Sequence, residues 1–436
     1  MKILRVCTAA VAVFLCLSFG RKPFDVEKFQ KENPLRNASN LHCYEVLDSS
    51  VTPAPCGYRP FYVSHIGRHG SRGHCEESSL SYVDTLLKLE KLGVLTQDAV
   101  SLTRTLVGIR SINEQVGFGE LTNLGHMEHS NIARRMGEHY PEVFSNGAGH
   151  NIKCYSTTVK RVLDSRDSFV ARLTSMYPDL EVTTAVNSDS RHDHDEVGLF
   201  KLTDKQNKEL HNIHTSPFCD SVRRSQDYTR LIRKTFTSGK MPEWMAGREH
   251  RFFHQLFYAG MIRQCYQTDT LGWVEPYFTP EELHTFWKAL NASHCTKWGW
   301  VAENKGYKAY AARSILDNIV RDADAVINGA DTCATLRFTH DSAVYPLMCL
   351  IGFDGCNWRG SFRQISEHNS MSYAMHMAGN LQFVFFRNSR NDILVKILLN
   401  EEEVTIPALK PDRKGLFYRW DRLKSYFASL KQPEQV

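Results

Sequence analysis

The stretch Phe61-Tyr62-Val63-Ser64-His65-Ile66-Gly67-Arg68-His69-Gly70-Ser71-Arg72 decides how the chain is read. Its first half is apolar and rich in β-branched and aromatic residues, which predicts a core strand over 61–66. Its second half sets a histidine between two arginines in a glycine-containing turn. A strand ending in such a turn delivers side chains to the carboxyl edge of a sheet, where open α/β folds usually take ligands.

That grouping suits a phosphate ester. The ester is doubly negative and repels nucleophiles, so a protein that attacks it must first neutralise its oxygens with donors whose charge does not titrate away. Arginine does so with a planar fork that bonds phosphate in pairs and stays protonated. His69 would then attack phosphorus through a neutral ring nitrogen and carry the phosphoryl group covalently. Gly70 would let the turn aim both arginines and the imidazole at one point. Taken alone, five such residues are equally a solvated basic turn, since short motifs recur by chance.

Working outward, residues 79–95 carry leucines near helical spacing and predict a helix whose N-terminal partial charge adds to an anion site. Thr122, in Gly119-Glu120-Leu121-Thr122-Asn123-Leu124-Gly125, is the expected N-cap of the next helix. His126 and His129 on that helix lack metal-site spacing and read as solvated or core histidines. Residues 151–155 predict a strand, after which Ser156 or Thr157 caps a helix with Val159, Val162, Leu163, Val170, Leu173 and Met176 on one face. Arg161 sits in its first turns, off that face. The helix dipole disfavours a cation there, which points to an anion beside it or else to an ordinary surface arginine.

From 186 to 330 the texture becomes helical and charged, and predicts a helical insertion. The His- and Asp-rich run 188–196 reads as a solvated loop, since its ligand-type residues are consecutive. His250 and His254 are four apart, but Arg251 stands where a His-Glu-x-x-His site needs glutamate. Thr279-Pro280-Glu281-Glu282 is a capping box that starts a helix to about 290, and 308–328 predicts one long helix closed by Gly329. The sheet resumes with a strand over 335–338, and His340 and Asp341 arrive at its end. Residues 381–386 and 393–399 predict paired strands around a turn at 388–391.

With 436 residues the chain can bury a large core, and 42% hydrophobic with 23% charged residues is ordinary globular composition. Lys2 and Arg5 precede an apolar run from Val6 to Phe19, and Ser18-Phe19-Gly20 resembles a signal-peptidase site. The run is too short for a membrane span, so export in soluble form is expected. Cys16 as a lipid anchor is the lesser alternative, because Leu15 is large where a small residue is wanted. Without that signal the net charge falls from +5 to +3, too mild for a polynucleotide groove. The ten cysteines beyond it form no Cys-x-x-Cys pair, which disfavours zinc ribbons and redox motifs, and export predicts some disulfides. Asn37-Ala38-Ser39 and Asn291-Ala292-Ser293 are glycan acceptors if the host glycosylates.

Together these residues resemble the histidine acid phosphatases, branch 2 of the histidine phosphatase superfamily. Arg68 to Arg72 match the Arg-His-Gly-x-Arg loop and His340-Asp341 the His-Asp pair. Glu120 to Gly125 match a Glu-Leu-Thr-x-x-Gly segment, and Arg161 matches the arginine before a serine-containing helix. Gly379 to Phe385, and Leu398 to Glu401 through Pro407, are similar to the C-terminal sheet of the multiple inositol polyphosphate phosphatases. The likeness runs in order from about residue 42 to 425. It implies an α/β fold, a three-layer core with a mixed, mainly parallel sheet flanked by helices, plus an inserted α-helical cap. The expected division is a signal peptide at 1–20, core at 21–185, cap at 186–330 and core at 331–436.

The same resemblance makes His69 the phosphohistidine, gives phosphate to Arg68, Arg72, Arg161 and His340, and makes Asp341 the acid that protonates the leaving alcohol, with no metal or other cofactor. Such proton donation is worth about 10²–10⁴-fold in rate, and an aspartate near its ordinary pKa of about 4 predicts an acidic optimum. The implied substrate is a small phosphate monoester, an inositol polyphosphate such as phytate. The alternatives are a broad acid phosphatase on sugar, nucleotide or aryl phosphates, and a non-catalytic phosphate binder. Two departures bear on this choice. Gly73-His74 replaces the usual Arg-x-Pro continuation, and His340-Asp341-Ser342 stands where the inositol polyphosphate group has His-Ala-Glu.

Overall fold

A computed structural model of the chain describes residues 24–47, 51–147, 149–186, 196–413 and 415–431. The signal at 1–20 and all but the last residue of the 188–196 run lie outside these. Eight strands form one sheet: β1 (Arg59–Arg68), β2 (Asn151–Ser156), β3 (Glu181–Val186), β4 (Ala334–Thr339), β5 (Asn380–Arg387), β6 (Ile393–Leu399), β7 (Glu402–Glu403) and β8 (Phe417–Arg419). Their order is β3-β2-β4-β1-β5-β6-β7, with β8 on β6. Parallel pairing is confined to the β3-β2-β4-β1 half, three of the seven pairings, so the sheet is evenly mixed rather than mainly parallel.

The register of β1 on β4 builds the site. Arg68 pairs with Thr339, and parallel neighbours end at the same edge, so His69 and His340 emerge side by side although 271 positions apart in sequence. Alternation along β1 sends Tyr62 and Ile66 to one face and Val63 to the other. The first face packs on the helices Arg313–Ile327 and Asp341–Ile351. The second packs on Asn123–His139 and Lys160–Met176 through Ile132, Met136, Phe169 and Leu173. A separate helical core joins Leu86 and Leu106 with Phe252, Phe257 and Phe286. Among the described residues no helix is long and apolar enough to cross a membrane.

Local capping chemistry behaves as the sequence predicts. Thr122 accepts from Gly125 N, and Thr279 with Glu282 forms a reciprocal capping box. Other boundaries differ, mostly where tertiary packing sets them. The helix expected over 79–95 is a short 3-10 turn, Glu77–Leu80, followed by Tyr82–Lys91. The long helix Gln97–Val116 was not anticipated. The Thr279 helix continues to Trp298, buried over most of its length. Residues 308–328 split into Tyr307–Tyr310 and Arg313–Ile327. Neither Ser156 nor Thr157 caps Lys160–Met176, whose N-cap is Val159 without a side-chain bond.

The ten cysteines are all free, contrary to the expected disulfides, although Cys43 Sγ and Cys265 Sγ lie 3.6 Å apart. Both glycan sequons are buried: Asn37 is 4% exposed and Asn291 is fully enclosed. The Asn291 amide is committed to Ser366 Oγ, Asn369 O and Met371 N.

Candidate active site

His69 continues from β1, its main-chain N–H donating to Thr339 O at 3.0 Å. Its Nδ1 lies 2.9 Å from Gly70 O, so Nδ1 carries the proton and Nε2 keeps its lone pair. The ring is 2% exposed. Burial, then the charges of Arg68, Arg161, Arg72 and His340, push its pKa well below the usual histidine range. The imidazole is therefore neutral, the form a nucleophile requires.

Glycine is required at two places by close approach. A Cβ on Gly70 would lie 2.6 Å from Gly125 O, and one on Gly125 would overlap Ser71 O. The loop and the start of the Asn123–His139 helix thus pack backbone on backbone. Ser71 fixes the contact by donating through N and Oγ to Glu128 at 2.6 and 2.7 Å. Glu128 is buried, which raises its pKa. Gly70 N donates to Ser165 Oγ at 3.1 Å, joining the loop to the helix that carries Arg161.

Three arginines converge here. Arg68 is wholly buried; its Nη1 donates to Asn40 O at 2.6 Å and Met375 O at 3.0 Å, and its Nη2 stands 3.2 Å from Asp341 Oδ2. Arg72 Nη1 donates to Gly73 O at 2.7 Å, and Arg161 Nη1 makes one long contact of 3.4 Å to Gly119 O. The Nε atoms of all three are buried without an acceptor. Burial lowers the pKa of Arg68 and of Arg161, yet guanidinium remains charged at any ordinary pH. An unsatisfied buried donor costs about 1–3 kcal/mol, so this group of cations has the donors to take an anion that supplies several oxygens at once.

His340 and Asp341 complete the pocket. The His340 ring centroid is 5.5 Å from that of His69, and its Nε2 lies 3.4 Å from Thr157 Oγ1. Asp341, first residue of its helix, accepts from Asn40 Nδ2 at 3.0 Å and from Ser342 N at 2.9 Å. Burial alone would raise its pKa, but Arg68, the Asn40 bond, Arg72 and His340 outweigh it and hold the carboxyl well below the aspartate range. The expectation of an ordinary value is corrected: these neighbours hold Asp341 ionised.

All six residues singled out in the sequence, Arg68, His69, Arg72, Arg161, His340 and Asp341, meet at this edge. His74, which stands where an Arg-x-Pro continuation would place proline, is buried and is anchored by hydrogen bonds instead. Its main-chain N–H donates to Asn113 Oδ1 at 2.6 Å, while its Nε2 lies 3.2 Å from Ala259 O, and burial pushes its pKa down to about 4. His250 and His254 are buried core residues, and among the described residues no group of three His, Cys, Asp or Glu could hold a metal ion. Sequence reading missed Asn40, Glu128, Ser165 and Asn113. Glu128 had a signal, lying one helical turn past Gly125 on the face the loop must meet; the others had none.

Residues 62–261 match the family model of the histidine phosphatase superfamily (branch 2). No curated protein matches in sequence. Among solved structures, the chain is similar to the multiple inositol polyphosphate phosphatase of Bifidobacterium longum, in complex with inositol hexasulfate. The TM-score is 0.75 at 20% identity, over 90% of this chain and 98% of that one. It is also similar to the phytase of D. castellii, with a TM-score of 0.65 at 12% identity, over 96% and 89% of the two chains. The family match and this fold support a phosphatase enzyme.

Proposed function

From the premise of a branch 2 histidine phosphatase over residues 62–261, we propose that the chain is an exported phosphomonoesterase hydrolysing inositol polyphosphates such as phytate. The observation that carries this is the convergence of a neutral His69 with three under-bonded arginines beside the Asp341 carboxylate. A binder would need the cations but not an acid beside them.

In the proposed reaction the phosphate enters among Arg68, Arg72, Arg161 and His340. His69 Nε2 attacks phosphorus as the ester P–O bond breaks, and Asp341 delivers a proton to the departing oxygen. Water then attacks phosphorus, the P–N bond breaks, and the Asp341 carboxylate takes the proton from water. Asp341 must therefore be protonated in the first step although its protein neighbours alone hold it ionised. The bound phosphate resolves this: its negative charge offsets the arginines that hold the pKa down and adds a like charge that raises it. The preference for inositol polyphosphate draws on the similarity to the Bifidobacterium longum enzyme and on the C-terminal sheet motifs. The His340-Asp341-Ser342 sequence favours the second reading, a broad acid phosphatase. Export rests on the residue 1–20 signal.

The test is phosphate release from phytate and from nitrophenyl phosphate between pH 3 and 8, with chelator, for wild type and His69→Ala. The expected outcome is release that survives chelator, is lost in the variant and favours phytate. Equal or better turnover of the aryl ester selects the broad phosphatase, and binding of phosphate without release selects the binder.

A further inference from the structure

The lead-in segment before β1 reaches into the pocket at one residue. Asn40 is 6% exposed and closes a ring of contacts. Its main-chain oxygen accepts from Arg68 Nη1 at 2.6 Å, Arg68 Nη2 stands 3.2 Å from Asp341 Oδ2, and that oxygen accepts from Asn40 Nδ2 at 3.0 Å. The preceding residue holds an uncommon backbone: Ser39 has φ 57° and ψ −128°, a kink inside the 3-10 segment Pro34–Leu41. A non-glycine residue in such a region is strained and persists where the surroundings impose it, often at functional sites. Here Ser39 is fully buried, with Oγ 3.3 Å from His294 Nδ1. The kink turns both polar groups of Asn40 toward catalytic side chains, and Asn40 Oδ1 is left buried without a partner.

We infer that Asn40 is a positioning residue of this reaction, setting the phosphate clamp through its main-chain oxygen and the orientation and proton affinity of Asp341 through its side-chain amide. The inference rests on the proposed role of Asp341. The charged and titratable groups around that carboxyl are Arg68, Arg72, Arg161, His340, His294 and Tyr258. The Asn40 amide is a neutral side-chain donor to that carboxyl, so removing it leaves the charge of the pocket intact. An N–H bonded to a carboxylate favours its ionised form. Without Asn40 the acid holds its proton to higher pH, and the alkaline limb of the rate profile moves up. Asn40→Asp puts a second carboxylate against the first and moves the limb the same way.

The experiment is kcat and KM against pH for wild type, Asn40→Ala, Asn40→Asp and Asp341→Asn, on phytate and on nitrophenyl phosphate, whose leaving group departs without a proton. General-acid donation is worth about 10²–10⁴-fold in rate, so an acid left without its orienting bond in Asn40→Ala should lower kcat on phytate about 10- to 100-fold. Its KM should stay near wild type, its loss on the aryl ester should be smaller, and its alkaline limb should rise. Thermal unfolding of each variant confirms a folded protein, and if Asn40→Ala fails to fold, the limb of Asn40→Asp decides. An unchanged limb in the folded variant overturns the inference, whether kcat is kept or falls equally on both substrates. If wild type is inactive, or Asp341→Asn shows no dependence on the leaving group, the reading of Asp341 has failed and the inference falls with it.

Discussion

Two wholly buried arginines sit on adjacent parallel strands with opposite fates. Arg337 on β4 pairs in register with Ile66, two residues before Arg68 on β1, and both are 0% exposed. Every nitrogen of the Arg337 fork has an acceptor: Nε and Nη2 donate to Asn318 Oδ1 at 2.9 and 2.6 Å, Nη1 donates to Ser64 Oγ at 2.9 Å, and Nη2 also pairs with Asp322. Arg68 keeps a buried Nε without an acceptor, and so do Arg72 and Arg161 beside it. Burial is thus common to both arginines, and what separates them is whether the protein itself completes the fork. The completed one lies within the sheet, the under-bonded one at its carboxyl edge.

The largest effect should come from the under-bonded group. Arg161→Ala should lower kcat/KM about 10²–10³-fold, the usual cost of one preorganised donor to developing charge. The midpoint of thermal unfolding should barely move, because Arg161 holds only its 3.4 Å contact to Gly119 O. A large loss of stability in that variant would break the comparison. The converse is Arg337→Met, which strands Asp322 without its cation and should cost about 3–5 kcal/mol of stability, read by denaturant unfolding, while the activity of the folded fraction stays the same. A change in kcat there would show that Arg337 serves the site after all.

His65 sharpens the contrast with a smaller effect. It is buried between Phe169 and Phe338, with both ring nitrogens unpartnered, but it can shed its charge where arginine cannot. Burial, then His129 and Arg337, push its pKa down to about 3. The unfolded chain takes up the proton near pH 6.5, so the stability contribution of His65 is complete above that value and is lost as pH falls toward 3. The slope for one such group is about 1.4 kcal/mol per pH unit. His65→Leu should flatten the decline in stability between pH 6 and 4 by about that amount, measured by unfolding at each pH. An unchanged slope would mean that His65 is not the neutral, unpartnered group its surroundings make it.

The legible parts of the fold are those whose cause is local. The β1 run, the turn after it, the Thr122 and Thr279 caps and the paired strands at β5 and β6 all follow from residues within a few positions of one another. Arg161 was legible as an oddity, a cation at a helix start. The helix Gln97–Val116 and the continuation to Trp298 were not, because burial against distant partners, rather than periodicity, holds them. The cysteine count suggested disulfides, but spacing says nothing of geometry, and Cys43 with Cys265 shows how near two thiols come without a bond.

By itself the sequence determined the chemical cast: a histidine between arginines at one strand end, a His-Asp pair at another, and glycines where backbones must touch. These are covalent facts of neighbouring residues. Only the tertiary structure decided that β1 and β4 run parallel and end together, that Asn40 reaches Arg68 and Asp341, and that the neighbouring cations hold Asp341 ionised. Such properties belong to distances and burial between residues far apart in the chain, and electrostatic energies follow distance in space rather than along the sequence.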